Sequence, residues 1–328
     1  MVAPAVALGA EPVFYPIDAV GEAAFDALPL EVIRSCRAMI VPHYFGIPRD
    51  MSRVRAFCDA EGIVLIEDCA HAFFGTAAGR PVGGWGDYAI ASMTKFFPVG
   101  EGGCLIGRSA DVEGVKLGTR SVQAGLRILA DALEMASAHG RLPGLNTLLA
   151  GVFRAKRMAR GGDAPASISA PPVARTLDQA IQAAQRDFAQ GALPFRRLTR
   201  VAHLLVGMGS KERIVRQRQK NYRWLAGRLS GMRGAYPLMP ECPSSAAPYV
   251  FPLWVKKPDE VYQLVRRSGI PVFRWDDRWP DTPRLDGDAG DLWARHVFQI
   301  GCHQDLTPED LEWMAKTLEE LIDNQDQA

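Results

Sequence analysis

A strand, a helix and a second strand in quick succession constrain this chain more than any other feature. The run AMIVPHYFG, Ala38 to Gly46, is continuously apolar and of strand length. After Pro48, DMSRVRAFCDAEG sets Met51, Val54, Phe57 and Cys58 on one helical face, with Asp50 placed to cap the start and Gly62 to end it. IVLIED, Ile63 to Asp68, is a second buried strand, and two strands joined by a helix should be parallel. A third strand, DYAIAS (Asp87 to Ser92), follows the turn-rich GRPVGGWG. The chain therefore reads as α/β.

In an open α/β sheet the ligand site lies beyond the carboxyl ends of the parallel strands. Asp68 ends one strand, Lys95 follows another and His43 closes the first, so three polar groups are expected on one edge. Lys95 sits in ASMTKFFPVGEGG, an apolar run closed by glycines. An ammonium taken out of water is costly unless it is paired or used covalently, so such a lysine is a snorkelling surface group or a reagent. A lysine amine condenses with the aldehyde of pyridoxal phosphate as a Schiff base, and an aspartate keeps the pyridine nitrogen protonated. Lys95 and Asp68 have the residue types for these two roles. Taken singly, Asp68 reads as a loop cap and Lys95 as a surface residue.

Composition removes other partners. The 328 residues carry 38 Lys and Arg against 37 Asp and Glu, so no global field favours nucleic acid or an anionic membrane. The six cysteines show neither a CxxC pair nor zinc spacing, which suits a reducing cytoplasm. The N-terminus is apolar but lacks a basic leader, and no run reaches the roughly 18 apolar residues of a spanning helix. Neither a signal peptide nor a transmembrane helix is expected.

The middle of the chain differs from the front. Residues 117–173 show no alternation of strand and helix, and GGDAPASISAPPVA (Gly161 to Ala174) has the composition of a linker. LNTLLAGVFRAKRMAR reads as an amphipathic helix, and packing on its own protein is favoured over a membrane surface. SKERIVRQRQKNYRWLAGRL (Ser210 to Leu229) is a longer helix, most of whose arginines are assigned to a solvated face. YVFPLWV, VYQLVRRSG, IPVFRW and HVFQIGC then form a second α/β subdomain, closed by a helix with Thr307 as cap, Pro308 at its first position and Asp310 three residues after the cap.

Five elements in order carry a family resemblance: His43 to Gly46, Glu67 to His71 (EDCAH), Gly79 to Asp87, Lys95, and Glu101 to Gly103. They resemble the DegT/DnrJ/EryC1/StrS aminotransferases, whose pattern runs from an H-x-y-G strand through EDxAQ and a glycine turn to a Schiff-base lysine followed by EGG. The resemblance implies an aspartate-aminotransferase-like fold (fold type I), with a mixed, mostly parallel sheet in a large domain and a smaller C-terminal α/β domain. It implies pyridoxal 5′-phosphate bound by Lys95, Asp68, His71 and Ser92, with Lys95 catalytic and no metal. His71 stands where the family has a glutamine on the ring 3′-oxygen. Ser92 lies three residues before the lysine where the family serine lies five before.

The resemblance further implies transfer from an amino acid, glutamate in the family, to a nucleotide-linked keto sugar, in a homodimer; the cysteines and the charge balance add the expectation of a cytoplasmic protein that binds no nucleic acid. The expected organisation is a large domain over 1–116, a helical insertion and linker over 117–205, and a connecting helix with a small domain over 206–328. Gly9 to Asp18 corresponds to a region that family members reach only after a segment carrying a phosphate-binding turn, so the large domain is expected to be incomplete at its front. The rival expectation is a truncated or non-catalytic paralogue with a structural or regulatory role. The tight turn at Glu101 to Gly103 is expected to exclude side chains at Gly102 and Gly103. His303 and Gln304 are assigned structural roles.

Overall fold

The structure, a computed structural model, describes residues 2–138, 140–142, 144–159, 179, 182, 196–276 and 278–325. The linker reading at Gly161 to Ala174 lies outside them. The chain divides into two compact units: Met1–Glu11, Phe97–Gly102 and Lys116–Gly209 form one, and Pro12–Phe96, Gly103–Val115 and Ser210–Ala328 the other.

The second unit begins with the expected βαβ element. Strand β1 (Ala38–Pro42), helix α1 (Ser52–Glu61) and strand β2 (Val64–Cys69) are followed by β3 (Tyr88–Ser92) and β4 (Gly103–Ile106). The sheet order is β1-β2-β3-β4, parallel throughout except for β4, which runs antiparallel to β3 with Ser92 opposite Gly103. Asp50 Oδ1 accepts from the Ser52 N–H at 2.8 Å, and Gly62 closes α1 in the left-handed region at φ 66°. Beneath the sheet, Met39, Val41, Met51, Val54, Cys58 and Leu65 form one core cluster. Strand periodicity decides the next step: on β2, Leu65, Glu67 and Cys69 are buried while Asp68 is left half-buried on the opposite face.

In the first unit α2 (Val122–Ala138), α3 (Asn146–Ala159) and α4 (Arg200–Met208) pack together, α2 touching both others. The expected amphipathic helix is present as α3. Its packing is only partly as expected: Phe153 is buried, whereas Leu145, Leu148 and Val152 are exposed. Among the described residues, no helix is long and apolar enough to cross a membrane.

The second unit resumes with α5 (Lys211–Arg228), β5 (Ala235–Pro237), β6 (Val250–Val255), α6 (Pro258–Arg267), β7 (Val272–Phe273), α7 (Gly290–His296), β8 (Val297–Gly301) and α8 (Pro308–Gln325). The strands form a separate antiparallel sheet in the order β5-β6-β8-β7, with its own core around Phe251, Leu253, Phe298 and Ile300. Helix α8 starts as expected: Thr307 Oγ1 accepts from the Asp310 N–H at 3.1 Å and Asp310 Oδ2 from the Thr307 N–H at 2.9 Å.

Candidate active site

The turn after β3 carries Lys95, and the end of β2 carries Asp68 and, three residues on, His71. The Lys95 ammonium lies 5.2 Å from the centre of the Tyr249 ring. Burial lowers its pKa, with Asp68 acting in the opposite sense, so the free-amine form is favoured relative to an exposed lysine. Asp68 Oδ1 accepts from the Ala70 N–H at 2.9 Å, which leaves Oδ2 for a further donor. The His71 ring packs 4.8 Å from Tyr249 and lies nearly parallel to Trp275 at 6.5 Å. Burial first and Lys95 second push the His71 pKa down to about 4, so its imidazole is neutral at neutral pH.

Lys95, Asp68 and His71 are thus brought into electrostatic contact. Ser92 ends β3 on the surface, its hydroxyl 3.0 Å from that of Thr94. His43 lies on the expected edge, its backbone N–H donating to the Asp68 carbonyl at 3.1 Å, but its side chain is buried and serves another partner: it takes the Arg49 N–H on Nδ1 at 3.0 Å and faces Glu67 Oε2 from Nε2 at 3.1 Å. With Nδ1 accepting, the ring proton sits on Nε2 and is given to Glu67. That carboxylate also accepts from the N–H groups of Gly83 at 3.0 Å and of Trp85 and Gly86 at 2.5 Å. Strand alternation separates the pair in EDCAH, Glu67 to a buried polar knot that folds the Gly83 to Gly86 turn and Asp68 to the site.

The EGG turn is corrected in part. Gly102 has φ 117° and so requires glycine. A side chain at Gly103 would meet the Ala91 carbonyl at 3.4 Å, an ordinary contact, because Gly103 opens β4. Glu101 serves the first unit, accepting from the Thr199 N–H at 2.9 Å before α4.

Sequence reading missed the residue that holds Lys95 in place. Arg218 on α5 is fully buried beside Asn221, Tyr222 and Leu225. Its Nη2 donates to the Lys95 carbonyl at 2.8 Å, its Nη1 to the carbonyls of Pro248 and Tyr249 at 3.1 Å, and its Nε to Gln304 Oε1 at 2.6 Å. Gln304 in turn donates to the Phe96 carbonyl at 3.2 Å. Arginine and glutamine together fix both carbonyls of the Lys95–Phe96 turn and the chain leading to Tyr249. The available signal was position, since Arg218 lies one turn after Ile214 and one before Tyr222 on the apolar stripe. Arg218→Met leaves these carbonyls and the Gln304 oxygen without their donor and should cost about 3 kcal/mol in urea unfolding. Arg218→Lys should recover less than half, because an ammonium cannot span the fork; a loss below about 1 kcal/mol in the methionine variant would show that the network is dispensable.

His71 supplies a pH signature. A histidine whose folded pKa lies at about 4, below the unfolded value, is protonated first in the unfolded chain, so stability falls as pH drops from the ordinary histidine range toward 4. His71→Gln should flatten that part of the stability curve, measured by unfolding between pH 4 and 7. An unchanged slope would locate the proton uptake elsewhere.

Residues 1–115 match the DegT/DnrJ/EryC1/StrS aminotransferase family. GDP-perosamine synthase of Vibrio cholerae is 31% identical over 127 residues, 37% of this chain and 35% of that protein. A UDP-N-acetyl-3-dehydro-α-D-glucosamine 3-aminotransferase of Acidithiobacillus ferrooxidans is 32% identical over 125 residues, 35% of this chain and 32% of that protein. The matched part thus spans about a third of the length of these curated relatives. Among solved structures, the aminotransferase TlmJ from Streptoalloteichus hindustanus aligns over 99% of this chain and 77% of its own, with a TM-score of 0.61 at 20% identity. The fold is therefore that of the aminotransferase it aligns with, fold type I, as expected from sequence. The matched family points to pyridoxal phosphate, and the site fits a flat aromatic aldehyde of that kind: an amine of lowered pKa, a carboxylate with a free oxygen for a ring N–H, and a neutral imidazole beside the amine.

Proposed function

We propose that this chain is a pyridoxal-phosphate-dependent aminotransferase acting on a sugar. The observation that carries the reading is Lys95, half-buried with a lowered pKa, held by Arg218 between Tyr249 and Asp68 in a chain whose residues 1–115 match an aminotransferase family. Bound here, pyridoxal phosphate would supply an aldehyde and an electron-withdrawing ring through which an amino group passes from an amino acid to a ketone. Lys95 would hold the cofactor through Nζ and, once released, move the proton at the α-carbon of the amino acid. Asp68 would hold the proton on the ring nitrogen, and His71, as a neutral donor, would orient the ring through its oxygen. Ser92 is proposed for the phosphate end, which requires its hydroxyl to leave Thr94.

For the substrates we propose glutamate as donor, from the family resemblance, and a nucleotide-linked keto sugar as acceptor, the acceptor in keeping with the nucleotide-sugar names of the two relatives above. We propose a large domain over 1–116, an insertion over 117–205 and a small domain over 206–328, assembled as a homodimer. Six free cysteines suit a cytoplasmic setting. The test is a single turnover: the purified chain, loaded with pyridoxal phosphate and given glutamate, should release one equivalent of 2-oxoglutarate per bound cofactor. Release of none from a chain that holds the cofactor would favour the non-catalytic paralogue. Light scattering of the active protein should give twice the chain mass, and a fully active monomer would remove the dimer.

A further inference from the structure

The first unit contains a cavity of about 780 Å³ that the reading above does not use. It lies where the segment Leu117 to Ser121 runs beside Arg197 to Thr199, the Arg197 N–H donating to the Gly118 carbonyl at 3.3 Å. Arg120, Arg197 and Arg200 line it, and no aspartate or glutamate does so among the described residues. All three arginines are exposed, and none forms an ion pair with a described residue; Arg120 gives only its Nε, to the Leu198 carbonyl at 3.1 Å. The Glu101 carboxylate, which reaches Thr199 of this lining, is committed to the Thr199 N–H at 2.9 Å.

Two further features fix the character of the cavity. Helices α2 and α4 both begin at it, capped by Ser121 Oγ and Thr199 Oγ1, so their first-turn N–H groups add to the positive field. The remaining wall is apolar, with Val122 and Leu126 at 78% and 62% exposure and Val201 behind them. Three guanidiniums without an ion pair among the described residues, at two helix starts, call for an anion of more than one charge, and planar forks match phosphate oxygens two at a time. Large apolar side chains open to the same space call for a hydrophobic body attached to that anion.

We propose that this cavity binds a phosphate or diphosphate ester whose organic group offers an apolar body or a flat aromatic face to the Val122 and Leu126 wall. Two sources supply that chemistry, a nucleoside diphosphate and an isoprenoid diphosphate. Calorimetric titration of the full chain with inorganic pyrophosphate, UDP and farnesyl diphosphate separates them. Pyrophosphate should bind measurably, and one of the two esters should bind at least tenfold tighter, which names the source. R120Q combined with R200Q should weaken that ester and pyrophosphate at least tenfold each, while L126S should weaken the ester alone. These side chains are exposed, and circular dichroism checks that the variants fold. Equal affinity for all three ligands, or affinities that survive R120Q/R200Q, would overturn the proposal. Lys95→Ala should leave the titrations unchanged, so loss of amino transfer and loss of this site are separate results.

Discussion

Lys95→Ala should reduce amino transfer to below about one thousandth of the parent rate, a barrier increase of about 4 kcal/mol, while the fold stays intact. The amine has no substitute in the proposed chemistry, since it both holds the cofactor and moves the proton. Stability should change little, because the recorded contact of the ammonium is the face of Tyr249, worth about 0.5 to 1 kcal/mol at a partly exposed site. Borohydride reduction of the loaded parent protein, followed by peptide mapping, should place the pyridoxyl label on Lys95. A label on another lysine would overturn the assignment, and so would a variant that keeps more than a few per cent of the rate.

Glu67→Leu should have the largest effect on stability. The carboxylate is fully buried and receives four donors, His43 Nε2 and the backbone N–H groups of Gly83, Trp85 and Gly86. Leucine leaves all four without an acceptor inside the protein. At about 1 to 3 kcal/mol for each buried donor left unmade, the loss is on the order of 5 kcal/mol, comparable with the whole stability of many domains. Urea unfolding followed by tryptophan fluorescence should show the second unit unfolded or nearly so, and a loss below about 1 kcal/mol would mean that the turn finds other acceptors. Burial alone would raise the Glu67 pKa, but His43 and the backbone donors more than offset it and hold it below the usual glutamate value. Its contribution is therefore complete above the ordinary carboxylate pKa and is lost as pH falls through the lower folded value. Glu67→Leu should flatten the acid limb of the stability curve below that of His71.

Much of the framework was legible in the chain itself. Apolar runs bounded by turns placed β1, β2 and β3, Gly62 and Thr307 marked helix ends, and the βαβ order required β1 and β2 to be parallel. These are local signals: periodicity and capping are decided within one or two turns of chain, so a sequence states them directly. The same locality put Lys95 after a strand end and Asp68 at another, and the two-residue period of a strand separates Glu67 from Asp68 by face.

Only the tertiary structure decided which charges are buried and whom they serve. Arg218 sits among arginines and lysines that face water, and 123 residues separate it from the carbonyl it fixes. Glu101 looks like part of the lysine turn, yet its partner is Thr199, 98 residues on. Arg120 and Arg197 are far apart in sequence and meet only because Gly118 pairs with the chain near Arg197. A side chain's free energy in water is a local property, so the sequence by itself determined the strands, the helix ends and the chemistry on offer. Desolvation and hydrogen-bond partners depend on which distant segments pack together, and that long-range packing decided where the chemistry is held.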